Sequence, residues 1–182
     1  TLEALSGLMT VSWLKDDHFS VDLPKPIFTP SGLPMQSTKE SLFYTLRESG
    51  VEYEFAVANV GNPHICLFVD DLSAYDCARV GALLSSHVMF PEGVNVGFVM
   101  VTGSASIRLQ VYERGVGLTL ACGSGACAAV TTALRTKKLT AKSVLVEQPG
   151  GQCTVDWLND EAKVVLSGSA NYTFEGKYSS LP

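Results

Sequence analysis

At 182 residues, 46% hydrophobic and 17% charged, the chain is long and apolar enough for a real core, built as one large domain or two modest ones. A net charge of -5 with scattered lysines excludes a basic stripe for nucleic acid, and no apolar run approaches the roughly 20 residues of a membrane span. Five cysteines, an odd number in irregular spacing, speak against a secreted disulfide scaffold and for a reducing compartment, so the cytoplasm is expected.

Taken in order, residues 8–14 and 19–23 alternate apolar and polar around Lys15-Asp16-Asp17-His18, which predicts a β-hairpin. Pro24, Pro26, Pro30 and Pro34 then mark extended backbone, and a domain boundary is placed near Lys25. Strands are expected over 41–46 and 53–59, followed by Val60-Gly61-Asn62-Pro63-His64 and an apolar strand over 65–69. That interruption is expected to push the polar side chains of Asn62 and His64 into the open. Read alone, His64 is a hydrogen-bonded structural histidine or a catalytic one.

Asp70-Asp71-Leu72 opens a predicted helix running to about Ser86, with Ala74, Ala78, Val80 and Leu84 apolar and Cys77 structural. Residues 94–100 form an apolar strand broken by Asn95, whose amide needs partners at both ends, from the backbone or from a ligand. Ile107, Leu109 and Val111 alternate with Arg108 and Gln110, a strand that delivers Glu113 and Arg114 to a turn on Gly115 and Gly117. A short strand, 118–121, stops at Cys122. Gly123, Ser124 and Gly125 turn the chain into a helical run of small residues over 126–134. Strands over 142–147, 152–157 and 163–166 follow, and a tail over 168–178 carries Tyr172, Phe174 and Tyr178.

The chemistry concentrates in residues 111–135. A helix N-terminus offers unpaired N–H groups and about half a positive charge, which bind carboxylates and stabilise a thiolate. Cys122 in that position is expected to have its pKa lowered from about 8.5. The alternative is an inert thiol buried as a small hydrophobe. The backbone N–H groups of Gly123 and Ser124 suit an oxyanion-type clamp on an amino acid's carboxylate, and the thiol suits proton transfer at the carbon beside it. Arg114 suits a second carboxylate held through paired hydrogen bonds, against the ordinary reading of Glu113-Arg114 as a solvated ion pair. The Cys122 and Cys127 spacing has no matching second pair, so no metal is expected.

The run Glu113-Arg114-Gly115-x-Gly117-x-Thr119-x-Ala121-Cys122-Gly123-Ser124-Gly125-Ala126-Cys127-Ala128-Ala129 resembles the second cysteine motif of the diaminopimelate epimerases, and Gly61-Asn62-Pro63-His64 and Asn95-x-Gly97-Phe98 match that family in order. The resemblance covers nearly the whole chain but only the rear part of the family's. It implies an α/β (α+β) fold in which a curved, mostly antiparallel sheet or barrel wraps a central helix. It implies a cofactor-independent isomerase that converts LL- to meso-diaminopimelate by two cysteines acting as acid and base, in lysine and peptidoglycan precursor biosynthesis.

Cys122, His64 and Glu113 would then be catalytic, with His64 and Glu113 tuning the thiol. Asn62, Asn95, Glu113, Arg114, Gly123 and Ser124 would hold the substrate. Residues 1–24 are read as remnant strands of an N-terminal domain, 25–167 as the C-terminal domain, and 168–182 as a tail returning to the former or to a dimer interface. The second cysteine belongs to that N-terminal domain in the family, and Cys66, Cys77, Cys127 and Cys153 all lack its glycine setting. The chain alone is therefore expected to be inactive. Leu118 stands where many members carry glutamate, and Phe174 falls near a tyrosine used at the dimer contact in some members, which extends the expectation to a homodimer. Two alternatives remain: a non-catalytic amino-acid-binding remnant, or another isomerase of the same fold group, such as a proline racemase or a phenazine-biosynthesis-like isomerase.

Overall fold

A computed structural model of the protein describes residues 1–4 and 7–177; Tyr178 lies outside them. The strands are β1 (Leu2–Ala4), β2 (Gly7–Lys15), β3 (His18–Leu23), β4 (Tyr44–Glu48), β5 (Val51–Asn59), β6 (Pro63–Phe68), β7 (Asn95–Gly103), β8 (Ser106–Glu113), β9 (Gly117–Thr119), β10 (Ser143–Gln148), β11 (Gly151–Asp156) and β12 (Val164–Ser169), with helices α1 (Cys77–Ser85) and α2 (Gly123–Arg135). They join into one open sheet in the order β1-β2-β3-β12-β11-β10-β8-β7-β6-β5-β4, with β9 added to β8. Pairing is antiparallel except at β6·β7 and β8·β10, so the sheet is mixed and does not close.

The predicted hairpin forms, with Lys15 opposite His18 and a positive φ of 47° at Asp16 in the turn. β3 then pairs along its whole length with β12, so the first and last parts of the chain lie side by side.

Helix α2 is the pivot of one core. Every residue from Gly125 to Ala133 is buried, as a helix without a polar stripe requires. Its alanines let β5, β6, β8 and β11 approach closely through Ala58, Cys66, Val111 and Val155. Thr131 and Thr132 remain satisfied inside that core because their hydroxyls donate to the carbonyls of Cys127 and Ala128, both at 2.8 Å. The helix ends with Lys138 N–H bonded to Ala133 O at 2.8 Å and Lys137 N–H to Leu134 O at 3.0 Å, with Lys137 at a positive φ of 60°. That is a Schellman stop made without glycine.

The opposite face of β5–β8 packs on α1 through Val57, Ile65, Val96 and Phe98. Gly81 of α1 admits the ring of Tyr112, whose Cβ would lie 2.5 Å from any Cβ at that position. The helix expected from Asp70 begins only at Cys77, because Asp71 accepts from both the N–H and the hydroxyl of Ser73 at 2.8 Å and closes a local turn. Asp76 is the actual cap, accepting from Arg79 N–H at 3.1 Å. Strand limits elsewhere shift by one to three residues from those expected.

Candidate active site

Four segments converge at the start of α2. The β5–β6 turn and the start of β6 supply Asn62 and His64, β7 opens with Asn95, β8 ends with Glu113 and leads to Arg114, and β9 leads through Leu120 to Cys122. The parallel register of β6 and β7 sets His64 directly beside Asn95.

Cys122 is the N-cap of α2, in extended conformation, and its Sγ accepts the Gly125 N–H at 3.4 Å. The first helical bond runs from Ala126 N–H to Cys122 O at 2.9 Å, so the Gly123 and Ser124 amides lie ahead of the ladder with no place in it. Gly123 is exposed and Ser124 half-buried, which leaves this pair of donors open to a ligand above the thiol. Cys122 itself is only 7% exposed. Ser124 Oγ lies 3.5 Å from Cys122 Sγ and 3.1 Å from His64 Nε2.

His64 is not in the open, as the sequence suggests, but 1% exposed. As the second residue of β6 it turns toward α2, where its Nε2 meets Asn62 Oδ1 as well as Ser124, each at 3.1 Å. Burial, and secondarily the positive charge of Arg114, lower its pKa to about 3, so the ring is neutral at ordinary pH. A carbonyl oxygen cannot donate, so Nε2 carries the hydrogen and Nδ1 is bare; Nδ1 is also one of two buried polar side-chain atoms without a partner among the described residues.

The thiol departs from the expected behaviour. Burial pushes the Cys122 pKa up, the bonds from Ser124 and Gly125 oppose this, and the Glu113 carboxylate adds to the rise. Net, it is raised rather than lowered, and the resting group is a neutral S–H. The helix terminus acts here, but desolvation outweighs it. Burial also pushes Cys66 up to about 12 and raises Cys127, leaving both inert.

Asn95 is buried with both ends of its amide held by backbone: Nδ2 donates to Pro63 O at 2.9 Å and Oδ1 accepts from Arg114 N–H at 3.0 Å. It ties the Asn62–His64 turn to the Glu113–Arg114 turn. The Arg114 guanidinium is turned onto the 92–93 turn, with Nη1 donating to Glu92 O at 2.5 Å and Gly93 O at 3.2 Å, and retains free donors on an exposed side chain. Leu118 lies outside this group, opposite Tyr112, and lines a cavity of about 640 Å³ with Leu72, Tyr75, Cys77 and Pro149. Neither Cys122 nor His64 borders that cavity.

One residue in the cluster was not singled out from the sequence. Gln148, last in β10, accepts the Cys122 N–H at 2.8 Å through Oε1. The available signal was a glutamine directly before the Pro149-Gly150-Gly151 turn, where a polar side chain projects from a strand end. Among the described residues, no group of three or more His, Cys, Asp or Glu is arranged to hold a metal, and no helix is long and apolar enough to cross a membrane.

The family model described as diaminopimelate epimerase matches residues 56–173. The diaminopimelate epimerase of Thioalkalivibrio sulfidiphilus strain HL-EbGR7 is 39% identical over 176 residues, spanning 96% of this chain and 63% of its own. That of Chromobacterium violaceum is 39% identical across 97% of this chain and 63% of its own. The chain thus spans under two thirds of the length of these curated relatives. In fold it is similar to the crystal structure of a hydroxyproline epimerase from Agrobacterium vitis, with a TM-score of 0.65 at 17% identity over 92% of this chain and 55% of that one. This likeness bears out the expected architecture of a curved sheet about a helix.

Proposed function

The chain belongs to the diaminopimelate epimerase family, and on that footing we propose that it contributes one of two acid–base thiols to the cofactor-independent conversion of LL- to meso-diaminopimelate. The observation that carries this is the Cys122 thiol beneath the free Gly123 and Ser124 amides, with Glu113 and the His64–Ser124 pair against it.

The α C–H of an amino acid loses its proton only if the negative charge growing on the adjacent carboxylate is held. The two amides at the positive end of α2 are suited to that task, being fixed before the substrate arrives. The raised pKa makes Cys122 the proton donor at the start of a turnover from the opposite hand. As a base on the far face removes the α proton, S–H delivers its own, and the thiolate that forms receives hydrogen bonds from Gly125 N–H and the Ser124 hydroxyl. In reverse the thiolate is the base. The remaining donors of Arg114 take the distal carboxylate and Asn62 lines the approach, while Asn95, both ends of its amide held by backbone, serves by fixing the turns that carry Asn62 and Arg114.

Inversion needs a second group on the other face, which the resemblance assigns to a cysteine in an N-terminal domain. Residues 1–24 are read as remnant strands of that domain, residues 25–167 as the C-terminal one, residues 168–182 as a tail returning to the former or to a dimer interface, and this chain alone as inactive. The protein so read is cytoplasmic and serves lysine and peptidoglycan precursor synthesis. A reading as an amino-acid-binding module without turnover is favoured by one observation, the single glycine-flanked thiol among five cysteines.

Incubation with LL-diaminopimelate in deuterated water separates these. Supplied with the N-terminal domain of the Chromobacterium violaceum relative, the chain is expected to yield meso product with deuterium at the inverted carbon. No exchange in that assembly would refute the epimerase reading, and exchange with inversion by the chain alone would refute its inactivity.

A further inference from the structure

The turn between β10 and β11 grips the approach to Cys122 at two alternate residues, as a neighbouring strand would. Gly150 N–H donates to Leu120 O at 2.7 Å, and Cys122 N–H donates to Gln148 Oε1 at 2.8 Å. The first contact is a close one, since a Cβ at position 150 would stand 3.0 Å from that same carbonyl oxygen. The second demands an acceptor that reaches past the end of β10. Gln148 is half-buried, and its Nε2 is turned to Cys153 Sγ at 4.0 Å, so its amide lies with the carbonyl end toward Cys122.

We propose that Gln148 is a positioning residue for Cys122: it withdraws the Cys122 amide from the row of free donors at the start of α2, so that only Gly123 and Ser124 face a carboxylate, and it fixes the direction of the thiol. Of the four consecutive amides from 122 to 125, Gln148 takes the first and the Cys122 sulfur takes the last, at 3.4 Å. Two adjacent donors remain, the number a single carboxylate oxygen pair can use. A glutamate at 148 would accept the same bond, but it would bring a second negative charge to a thiol that already faces Glu113. A neutral amide fixes the backbone without that penalty.

This rests on Cys122 being the acid–base group, yet it is testable without turnover. Hydrogen exchange at the Cys122 amide and alkylation of Cys122 against pH, quantified by peptide mass spectrometry, are measured in the parent, Gln148→Leu and Gln148→Glu. Gln148→Leu is expected to speed exchange of the Cys122 amide about tenfold while the amides of residues 128–130 keep their protection. Gln148→Glu is expected to keep that protection and to slow alkylation at pH 8 about threefold, its midpoint moving up. A Cys122 amide equally protected in Gln148→Leu, or an alkylation profile unmoved in Gln148→Glu, overturns the proposal. Neither result bears on whether the assembled protein epimerises diaminopimelate.

Discussion

His64 and Ser124, sixty residues apart in the chain, meet at 3.1 Å between Nε2 and Oγ. Because Nε2–H is the donor, the Ser124 oxygen accepts from it and its own hydrogen is free to point at Cys122 Sγ, 3.5 Å away. The neutral histidine thereby acts on the thiol through the serine. Ser124→Ala removes a bond that lowers the Cys122 pKa, so the midpoint of Cys122 alkylation is expected to rise. Ser124→Thr keeps the hydroxyl and is expected to match the parent. Equal midpoints in the parent and Ser124→Ala would sever this link.

Glu113 works in the other direction. Its charge holds the Cys122 proton on, so Glu113→Gln is expected to lower the alkylation midpoint toward that of an ordinary thiol. A midpoint that stays put, or rises, contradicts the placement of that carboxylate beside the sulfur.

The buried imidazole also makes the fold sensitive to acid. The unfolded chain protonates His64 near 6.5 and the folded chain only near 3, so between those values the unfolded state binds more protons and stability falls as pH falls. The loss is up to about 1.4 kcal/mol per pH unit across that window, and His64 contributes no slope above it. Denaturant unfolding of His64→Gln is expected to show a shallower decline from pH 6 to pH 4 than the parent; parallel slopes would show that His64 titrates normally.

Much of this site was legible because its residues are local to one another or constrained by type. The N-cap position of Cys122, the amides of Gly123 and Ser124 and the small-residue helix behind them all follow from a single continuous run. The depth of His64 was not legible, since nothing in Gly61-Asn62-Pro63-His64 says which way β6 turns in the sheet. Nor was the rise in the Cys122 pKa: the helix terminus is a local feature, whereas the burial that overrides it comes from β8 and β12 packing against α2. The same holds for Asn95, where the residues alone left backbone and ligand equal and the resemblance implied a substrate contact, while the fold supplies backbone at both ends. Gln148 is missed for want of any local reason to pair it with a residue 26 positions earlier.

Gly125 tests the packing under the thiol. A Cβ there would stand 2.9 Å from Val111 Cγ2 and 3.2 Å from Cys122 Sγ, between a strand and the thiol. Gly125→Ala is expected to cost about 1–3 kcal/mol in urea unfolding and to alter the rate of Cys122 alkylation. A variant as stable as the parent, with unchanged alkylation, would show that this gap is wider than the distances state.

The central claim is that the Cys122 thiol lies where an amino-acid carboxylate is clamped by the start of α2. Its most direct measurement is the rate of Cys122 alkylation with and without diaminopimelate, on the chain supplied with the N-terminal domain of a relative and with Cys153 followed in the same digest. Diaminopimelate is predicted to slow labelling of Cys122 in a saturable way and to leave Cys153 untouched. Labelling of Cys122 at the same rate with saturating diaminopimelate would contradict the account.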